Sequence, residues 1–344
     1  MKNRNLFLAI AFSISSCLAM LLYIQSFNDS LLEINQTGIP PQFFKKTKIG
    51  FITDVHAKRS KSLSFDLESK IKDPLITFAD RMRDELQPDF IVQNGDFIEG
   101  SDRAGQKSID DFKTTDLLFS MAGDMPRYHV IGNHETRGLS KDEWLALTGY
   151  SQTYYFADHG NTRAIFLDGN GGKSSTTLVE EDGTGKFYFI SDQQFEWLEN
   201  ILIDSEGFRN IIIFTHFPVN TKFSSIAGKP IFPEHAARLM DLFREHRIRA
   251  VFSGHTEKLD YEKIGKIEYF SIPGFHRSGN KPVQWYGSFA EITLGRKVTV
   301  NLSYKKTPDG AYDTIQIPSD RFYSMEKYAT MLISYPAHIP ANPR

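Results

Sequence analysis

The sequence predicts an α/β fold in which two sheets pack face to face and helices cover their outer surfaces. β-branched or aromatic runs of strand length alternate with segments of helical periodicity over residues 48–253. Consecutive strands without intervening helices follow over residues 259–304. The chain has 344 residues, of which 40% are hydrophobic and 24% charged, so it contains enough apolar material for a sizeable core.

The predicted helices are identified by apolar residues at helical spacing. They are expected over residues 70–86, 109–121, 140–147, 191–201 and 232–247. Pro88 follows the first of them and marks its end. Ser140 and Glu143 form a capping-box pattern, which predicts that the third helix begins there.

The predicted strands are short apolar runs bounded by polar turns. They are expected at residues 48–53, 89–94, 126–131, 152–157, 162–168, 186–190, 210–214 and 248–253, before the strand-rich region already described. Because sites in open α/β sheets form outside the carboxyl ends of the strands, the residues that follow each run matter most for function.

Side chains that can bind a metal ion follow five of these strands. The five motifs are Asp54-Val55-His56, Gly95-Asp96, Gly132-Asn133-His134-Glu135, Thr215-His216 and Gly254-His255-Thr256-Glu257. They offer carboxylate oxygens, imidazole nitrogens and one amide oxygen. We therefore expect these side chains to converge in one pocket at the strand ends.

In this order the motifs resemble those of the calcineurin-like metallophosphoesterase superfamily. The family pattern is Asp-x-His, Gly-Asp-x-x-Asp, Gly-Asn-His-Asp/Glu, a lone His and then Gly-His-x-His. The resemblance covers roughly residues 46–275 and implies an αββα sandwich of two packed mixed sheets flanked by helices. Two positions depart from the pattern, because Glu99 stands where the family has Asp and Glu257 stands where it has a second histidine.

The resemblance implies hydrolysis of a phosphate ester by a hydroxide that bridges two divalent metal ions. The implied ligands are Asp54 and His56 for the first metal, Asp96 as the bridge, and Asn133, His216 and His255 for the second. His134 would stabilise the phosphoryl oxygens or protonate the leaving alkoxide. Glu99 and Glu135 would orient ligand imidazoles through hydrogen bonds.

Glu257 leaves two hypotheses open. Two divalent ions (+4) with Asp54 and Asp96 (−2) give the centre a formal charge of +2. If Glu257 binds the first metal, its carboxylate lowers that charge to +1, and manganese or iron is favoured over zinc. If it turns away, the first site is weak, and the protein is a catalytically weak or dead ectodomain that binds a phosphate ligand.

The N-terminal residues 6–24 contain no charged side chain and follow Lys2 and Arg4. At about 1.5 Å per residue this run nearly spans a bilayer core of about 30 Å. The preceding positive charges predict that the rest of the chain lies outside the cytoplasm. An uncleaved signal anchor is favoured, because no Ala-x-Ala-like site ends the run. A cleaved signal peptide and lipidation at Cys17 are the alternatives.

The predicted domain plan has four parts. Residues 1–25 form a transmembrane or signal helix, 26–45 a polar tether, 46–305 the metallophosphoesterase domain and 306–344 a C-terminal extension. The formal net charge of −2 gives no signal for nucleic-acid binding. Cys17 is the only cysteine, so an intramolecular disulfide and a cysteine-built zinc site are excluded. The expected partners are a phosphate-ester substrate and a membrane reached through the N-terminal helix.

Overall fold

The structure is a computed structural model that describes most of the chain from residue 45 to residue 318. The described residues are 45–59, 67–100, 105–171, 178–179, 186–220, 231, 233–276 and 285–318. The predicted anchor, the tether, Cys17 and the chain beyond residue 318 lie outside them. Among the described helices, none has the length and apolar character needed to cross a membrane.

The helices agree with the sequence pattern except at one place. Those described are α1 (Ser69–Arg81), α2 (Gln106–Ser120), α3 (Asn133–Gly138), α4 (Lys141–Thr148), α5 (Asp192–Ile203) and α6 (Pro233–Glu245). A π-helical turn, Met82–Leu86, prolongs α1. The capping box of α4 is confirmed, since the backbone N–H of Glu143 donates to Ser140 Oγ and that of Ser140 donates to Glu143. Helix α3 was not predicted, because its six residues are too few to show periodicity.

Twelve of the fourteen described strands build two six-stranded mixed sheets. The described strands are β1 (Thr47–Ile52), β2 (Phe90–Asn94), β3 (Arg127–Val130), β4 (Tyr155–His159), β5 (Thr162–Leu167), β6 (Leu178–Val179), β7 (Lys186–Phe187), β8 (Asn210–Thr215), β9 (Ala250–Ser253), β10 (Asp260–Ile264), β11 (Ile267–Ser271), β12 (Tyr286–Leu294), β13 (Val298–Lys305) and β14 (Tyr312–Ile317). The first sheet has the order β14-β13-β12-β1-β2-β3, and the second has β10-β11-β9-β8-β5-β4. The short pair β6–β7 stands apart from both.

Three hydrophobic cores define the layers of the domain. The central core lies between the sheets, where Phe51 of β1 stacks with Phe214 of β8 at 6.0 Å between ring centroids. A second core joins the outer face of the first sheet to α1, α2 and α4. A third joins the outer face of the second sheet to α5 and α6. Strand β8 is buried along its whole length because both of its faces are covered. The order helix, sheet, sheet, helix follows from these contacts.

The domain extends further toward the C-terminus than the boundary at residue 305 that we predicted. Strand β14 pairs antiparallel with β13, with Val300 opposite Ile317, and forms the edge of the first sheet. Its burial alternates, because Ile315 and Ile317 face the central core while Thr314 and Gln316 face solvent. The run is short and follows a polar turn, so the sequence pattern did not separate it from the tail.

The topology brings five strand ends to one place. Strands β1, β2 and β3 are parallel neighbours in the first sheet, and β8 and β9 are parallel neighbours in the second. A hydrogen bond of 3.0 Å from the Asn94 side chain to the Thr215 carbonyl joins the ends of β2 and β8 across the two sheets. The loops that carry the predicted ligands therefore start from a common, rigid edge.

Candidate metal centre

Carboxylates and imidazoles from all five motifs lie together beyond the strand ends. One cluster contains Asp54, His56 and Glu257, and within it the possible ligand atoms are at most 4.8 Å apart. A second cluster with the same spacing contains Asp96, His216 and His255. Asp96 also groups with His56 and His134, so it lies between the two clusters. These groups are those found among the described residues, and they have the arrangement expected for two ions that share one carboxylate.

Several atoms that could bind a metal are buried without a hydrogen-bond partner among the described residues. They are both ring nitrogens of His56, Nε2 of His216 and Oδ1 of Asn133. Buried polar atoms are nearly always paired, because leaving one unpaired costs about 1–3 kcal/mol. Nitrogen and oxygen donors that surround two carboxylates fit divalent metal ions, which would satisfy these atoms.

The backbone of the ligand loops adopts an uncommon conformation. Five candidate ligands have positive φ angles: Asp54 (51°), His56 (49°), Asp96 (53°), His255 (64°) and Glu257 (51°). In a non-glycine residue this conformation costs on the order of 1–3 kcal/mol and is concentrated at functional sites. Glu257 therefore shares the left-handed backbone conformation of four other predicted metal ligands.

Gly95 is required by the closeness of the two sheets. It has a φ angle of 92°, which favours glycine. A Cβ at this position would collide with the imidazole of His216. The glycine therefore lets the loop after β2 approach the histidine that follows β8, and it brings Asp96 to 3.1 Å from His216 Nε2.

Hydrogen bonds fix the orientation of the candidate ligands. His216 Nδ1 lies 2.9 Å from the Asn94 carbonyl, to which it donates, so Nε2 points toward Asp96. The Asp54 carboxylate accepts from the His255 backbone N–H at 3.0 Å and from the Thr53 hydroxyl at 2.8 Å. These bonds hold the ligand atoms in place before any ion binds.

The partners of Glu135 differ from those that we expected. Its carboxylate accepts four backbone N–H groups, from Asp96 (2.9 Å), Phe97 (2.6 Å), Ile98 (3.1 Å) and Gly132 (2.7 Å). The interpretation that Glu135 orients an imidazole is corrected by these bonds. The carboxylate instead ties the loop after β2 to the loop after β3, because it is fully buried between two turns whose N–H groups point inward.

Glu99 meets the imidazoles mainly through its backbone. Its carbonyl accepts from Nδ1 of His134 at 2.6 Å, which leaves Nε2 of that ring facing the cleft. Its carboxylate lies 3.6 Å from His56 Nδ1 and 3.9 Å from His134 Nδ1, beyond hydrogen-bond distance. The interaction with His56 nevertheless lowers the pKa of Glu99.

Burial and neighbouring charges shift the pKa values of the carboxylates and imidazoles in the pocket. Burial raises the pKa of the Asp54 carboxyl to about 6. Burial also opposes ionisation of Asp96, but His216, His134 and His56 outweigh it and hold the pKa of Asp96 well below its usual range. Burial lowers the pKa of His216, yet Asp96 and Asp54 raise it to about 9. When no cation is bound, the raised pKa of His216 keeps a proton on an imidazole that faces the Asp96 carboxylate at 3.1 Å, and a cation can replace that proton.

Arg137 and Tyr188 were missed by the sequence analysis. Arg137 lies three residues after His134 in α3, and its Nη1 donates to His134 Nε2 at 2.6 Å. The Tyr188 ring stacks on that of Phe217, with 3.7 Å between ring centroids, and lies edge-on to the ring of His255, with 5.3 Å between centroids. Residues three apart lie on the same face of a helix, so the spacing of Arg137 from His134 predicts a contact only if α3 is known to be helical. Tyr188 carried no signal in the sequence.

His276, which lies outside the five predicted motifs, lies beside the centre. Its ring centroid is 6.4 Å from that of His56, and its backbone N–H donates to the Asp54 carbonyl. It also lines a cavity of about 750 Å³ together with Lys70, Tyr286 and Lys305. Burial lowers the pKa of His276 to about 4.

The fold and the donor set together define the metallophosphoesterase class. Two mixed sheets flanked by helices present carboxylates, imidazoles and an amide oxygen at their strand ends. The chain matches the sequence model of the calcineurin-like phosphoesterases over residues 47–258, which is more than half of its length. The protein belongs to this family.

Several solved structures share the fold. A dimetal phosphatase from Danio rerio superposes with a TM-score of 0.58 at 18% identity, covering 79% of this chain and 98% of that one. The purple acid phosphatase PPD1 from yellow lupin gives 0.53 at 12% identity, covering 80% and 55%. GAP50, the anchor in the inner membrane complex of Plasmodium, gives 0.50 at 14% identity, covering 83% and 94%. At these identities the likeness concerns the fold alone. A search of curated protein sequences finds no match.

Proposed function

We propose that the protein hydrolyses a phosphate ester at two divalent metal ions. The observation that carries this proposal is the set of buried, unpartnered atoms of His56, Asn133 and His216 around the Asp54 and Asp96 carboxylates. When bound, the two ions would supply the nucleophile by acidifying a bridging water and would neutralise charge on the phosphoryl group. Asp54, His56 and Glu257 would hold the first ion, Asn133, His216 and His255 would hold the second, and Asp96 would serve both.

His134 acts on the substrate in this proposal. Its backbone N–H donates to Asp96 Oδ1 at 2.8 Å, and its ring meets that of His56 edge-on at 4.3 Å. The ring is therefore fixed beside the centre, with Nε2 on the cleft side. Nε2 accepts from Arg137 Nη1 at 2.6 Å, so the ring must take up a proton there before it stabilises the phosphoryl oxygens or protonates the leaving alkoxide.

Glu257 binds the first metal in this proposal. Its Oε1 lies 3.4 Å from His56 Nε2, and its backbone has the left-handed conformation found at His255 and Asp54. A carboxylate at this position favours manganese or iron over zinc. The side chain is 40% exposed, which is the observation that favours the alternative of a weak first site and a binding ectodomain.

A comparison of substrates and metals tests the activity. The purified protein should hydrolyse 4-nitrophenyl phosphate or bis(4-nitrophenyl) phosphate in the presence of manganese and lose this activity after chelation. Asp96→Asn should reduce the rate by about 1,000-fold or more, because it removes the carboxylate shared by both ions. Asp84→Asn, a surface change on the π-helical turn, is the matched control and should leave the rate unchanged. Metal-independent hydrolysis, or full activity in Asp96→Asn, would contradict the proposal.

We also propose that the domain is held outside the cytoplasm by its N-terminal segment. The support is the uncharged run of residues 6–24 behind Lys2 and Arg4. A full chain with a C-terminal tag should fractionate with membranes, and protease added outside the cell or spheroplast should cleave the tag. A tag that stays protected until the cells are lysed would rule this location out. Replacing Cys17 with Ser separates lipidation from a signal anchor, because only lipidation needs the thiol.

A further inference from the structure

The guanidinium of Arg137 lies between the two halves of the metal centre. It donates to Nε2 of His134 at 2.6 Å, and its charge acts on the nearby hydroxyl of Tyr188. The His134 ring contacts that of His56, and the Tyr188 ring contacts that of His255. Arg137 thus contacts a residue on the first-metal side and lies near one on the second-metal side.

The position of Arg137 leaves it accessible to a ligand. The residue is exposed, whereas Tyr188 beside it is buried. A guanidinium carries five N–H donors in a planar fork, and this geometry matches the oxygens of a phosphoryl group. It lies next to His134, whose ring groups with His56 and Asp96 at the proposed metal centre.

The low formal charge of the proposed centre is offset by the positive charge of Arg137. Two divalent ions (+4) with the carboxylates of Asp54, Asp96 and Glu257 (−3) leave a formal charge of +1. The Glu99 carboxylate, 3.6 Å from His56 Nδ1, adds further negative charge on the same side. Arg137 contributes one positive charge that offsets the carboxylate at position 257.

We propose that Arg137 binds the phosphoryl group and makes phosphate monoesters the preferred substrates. This inference rests on the proposed function. Above a second pKa of about 6 the phosphoryl group of a monoester carries two negative charges, whereas a diester carries one. A dianion gains more from an added guanidinium than a monoanion does, and charge-assisted bonds to phosphate are among the stronger ones. The substrate class is therefore one with a terminal phosphoryl group.

A second role for Arg137 predicts a different result. If it only holds the ring of His134, its removal lowers kcat for monoesters and diesters by similar factors and leaves KM unchanged. If it binds the phosphoryl group, its removal raises KM for the monoester far more than for the diester. The ratio of the two kcat/KM values therefore separates binding of substrate from positioning of the histidine.

The test compares Arg137→Ala and Arg137→Lys with the parent protein, all loaded with manganese. Arg238→Ala, which removes an exposed arginine on α6, is the matched control. For 4-nitrophenyl phosphate we expect kcat/KM to fall about 10- to 100-fold in Arg137→Ala, with inhibition by inorganic phosphate weakened by a similar factor. For the bis(4-nitrophenyl) diester we expect a fall of less than about fivefold. Arg137→Lys should recover part of the monoester activity, because it keeps the charge without the fork.

Equal losses on both esters, with KM unchanged, would overturn the inference while leaving the proposed function intact. If the parent protein hydrolyses neither ester, the proposed function fails instead. The role of Arg137 is then decided by titrating inorganic phosphate into the manganese-loaded protein in a calorimeter. Affinity at least about tenfold weaker in Arg137→Ala supports the role, and equal affinity in the two proteins overturns it.

Discussion

The two halves of the centre differ in chemistry and in exposure. The first half contains Asp54, His56 and Glu257, two carboxylates with one imidazole, and the Glu257 side chain is 40% exposed. The second half is rich in imidazole and amide donors, and its His216 side chain is fully buried. One fold can therefore offer two neighbouring ions different environments. The first half is rich in oxygen donors and close to solvent, whereas the second half is rich in nitrogen donors and buried.

The halves also differ in how they are supported. Around Asp96 and Asn133, the carboxylate of Glu135 ties two loops together through four backbone N–H groups. Around Glu257, by contrast, the side chain is 40% exposed, and its Oε1 lies 3.4 Å from His56 Nε2. We therefore expect the second ion to be held more tightly and the first to exchange more readily.

Removing one ligand from each half gives the largest expected contrast. His216→Ala should lower activity by about 1,000-fold and should not recover with excess manganese, because the cavity left in a buried site lacks a donor. Glu257→Ala should lose activity at low manganese and regain much of it as manganese is raised, since solvent can reach that position. Activity measured over a range of manganese concentrations checks both, and the same response in the two variants would refute the difference between the halves.

Glu135→Ala tests the support of the buried half through stability. Four N–H groups would lose their acceptor in a buried place, so we expect the free energy of unfolding to fall by about 3–5 kcal/mol. Glu206→Ala, at an exposed position after α5, should change it by less than about 0.5 kcal/mol. Chemical denaturation of the metal-free proteins measures both. A change at residue 135 as small as that at residue 206 would show that the carboxylate does not hold the loops.

Glu257→His sharpens the chemical side of the comparison. If Glu257 binds the first metal, the substitution should shift metal preference toward zinc by about tenfold, because an imidazole replaces an oxygen donor. Competition between zinc and manganese, followed by metal analysis, measures the shift. If the parent is instead a binding ectodomain with a weak first site, the same variant should show a large gain in hydrolysis.

The pH dependence of metal binding tests the charges of the two halves. The pKa of His216 is raised to about 9, so below that pH an incoming ion must displace a proton from this imidazole. Affinity for manganese should therefore fall as pH falls from 9, by up to about tenfold per pH unit. Asp54, with a pKa of about 6, steepens the fall below that pH. Titration calorimetry at pH values of about 6.5 and 8.5 tests this, and equal affinities would contradict it.

The sequence predicted what repeats along the chain and missed what depends on contacts between distant segments. The metal-capable side chains were found because each follows an apolar run, and the layers follow from the alternation of helices with strands. The role of Glu135 was misjudged because its partners are backbone N–H groups of another loop. Arg137 was missed because the short helix α3 shows no periodicity, and β14 because one short run resembles a polar tail. The N-terminal anchor stays a prediction.

The metal content of the protein, purified without chelators, tests the central claim most directly. We predict two divalent ions per chain, with manganese or iron at the position shared by Asp54, His56 and Glu257, and less than one ion per chain in Asp96→Asn. Zinc alone at both positions would contradict the role given to Glu257. A parent protein that holds no more metal than Asp96→Asn would contradict the dinuclear centre itself.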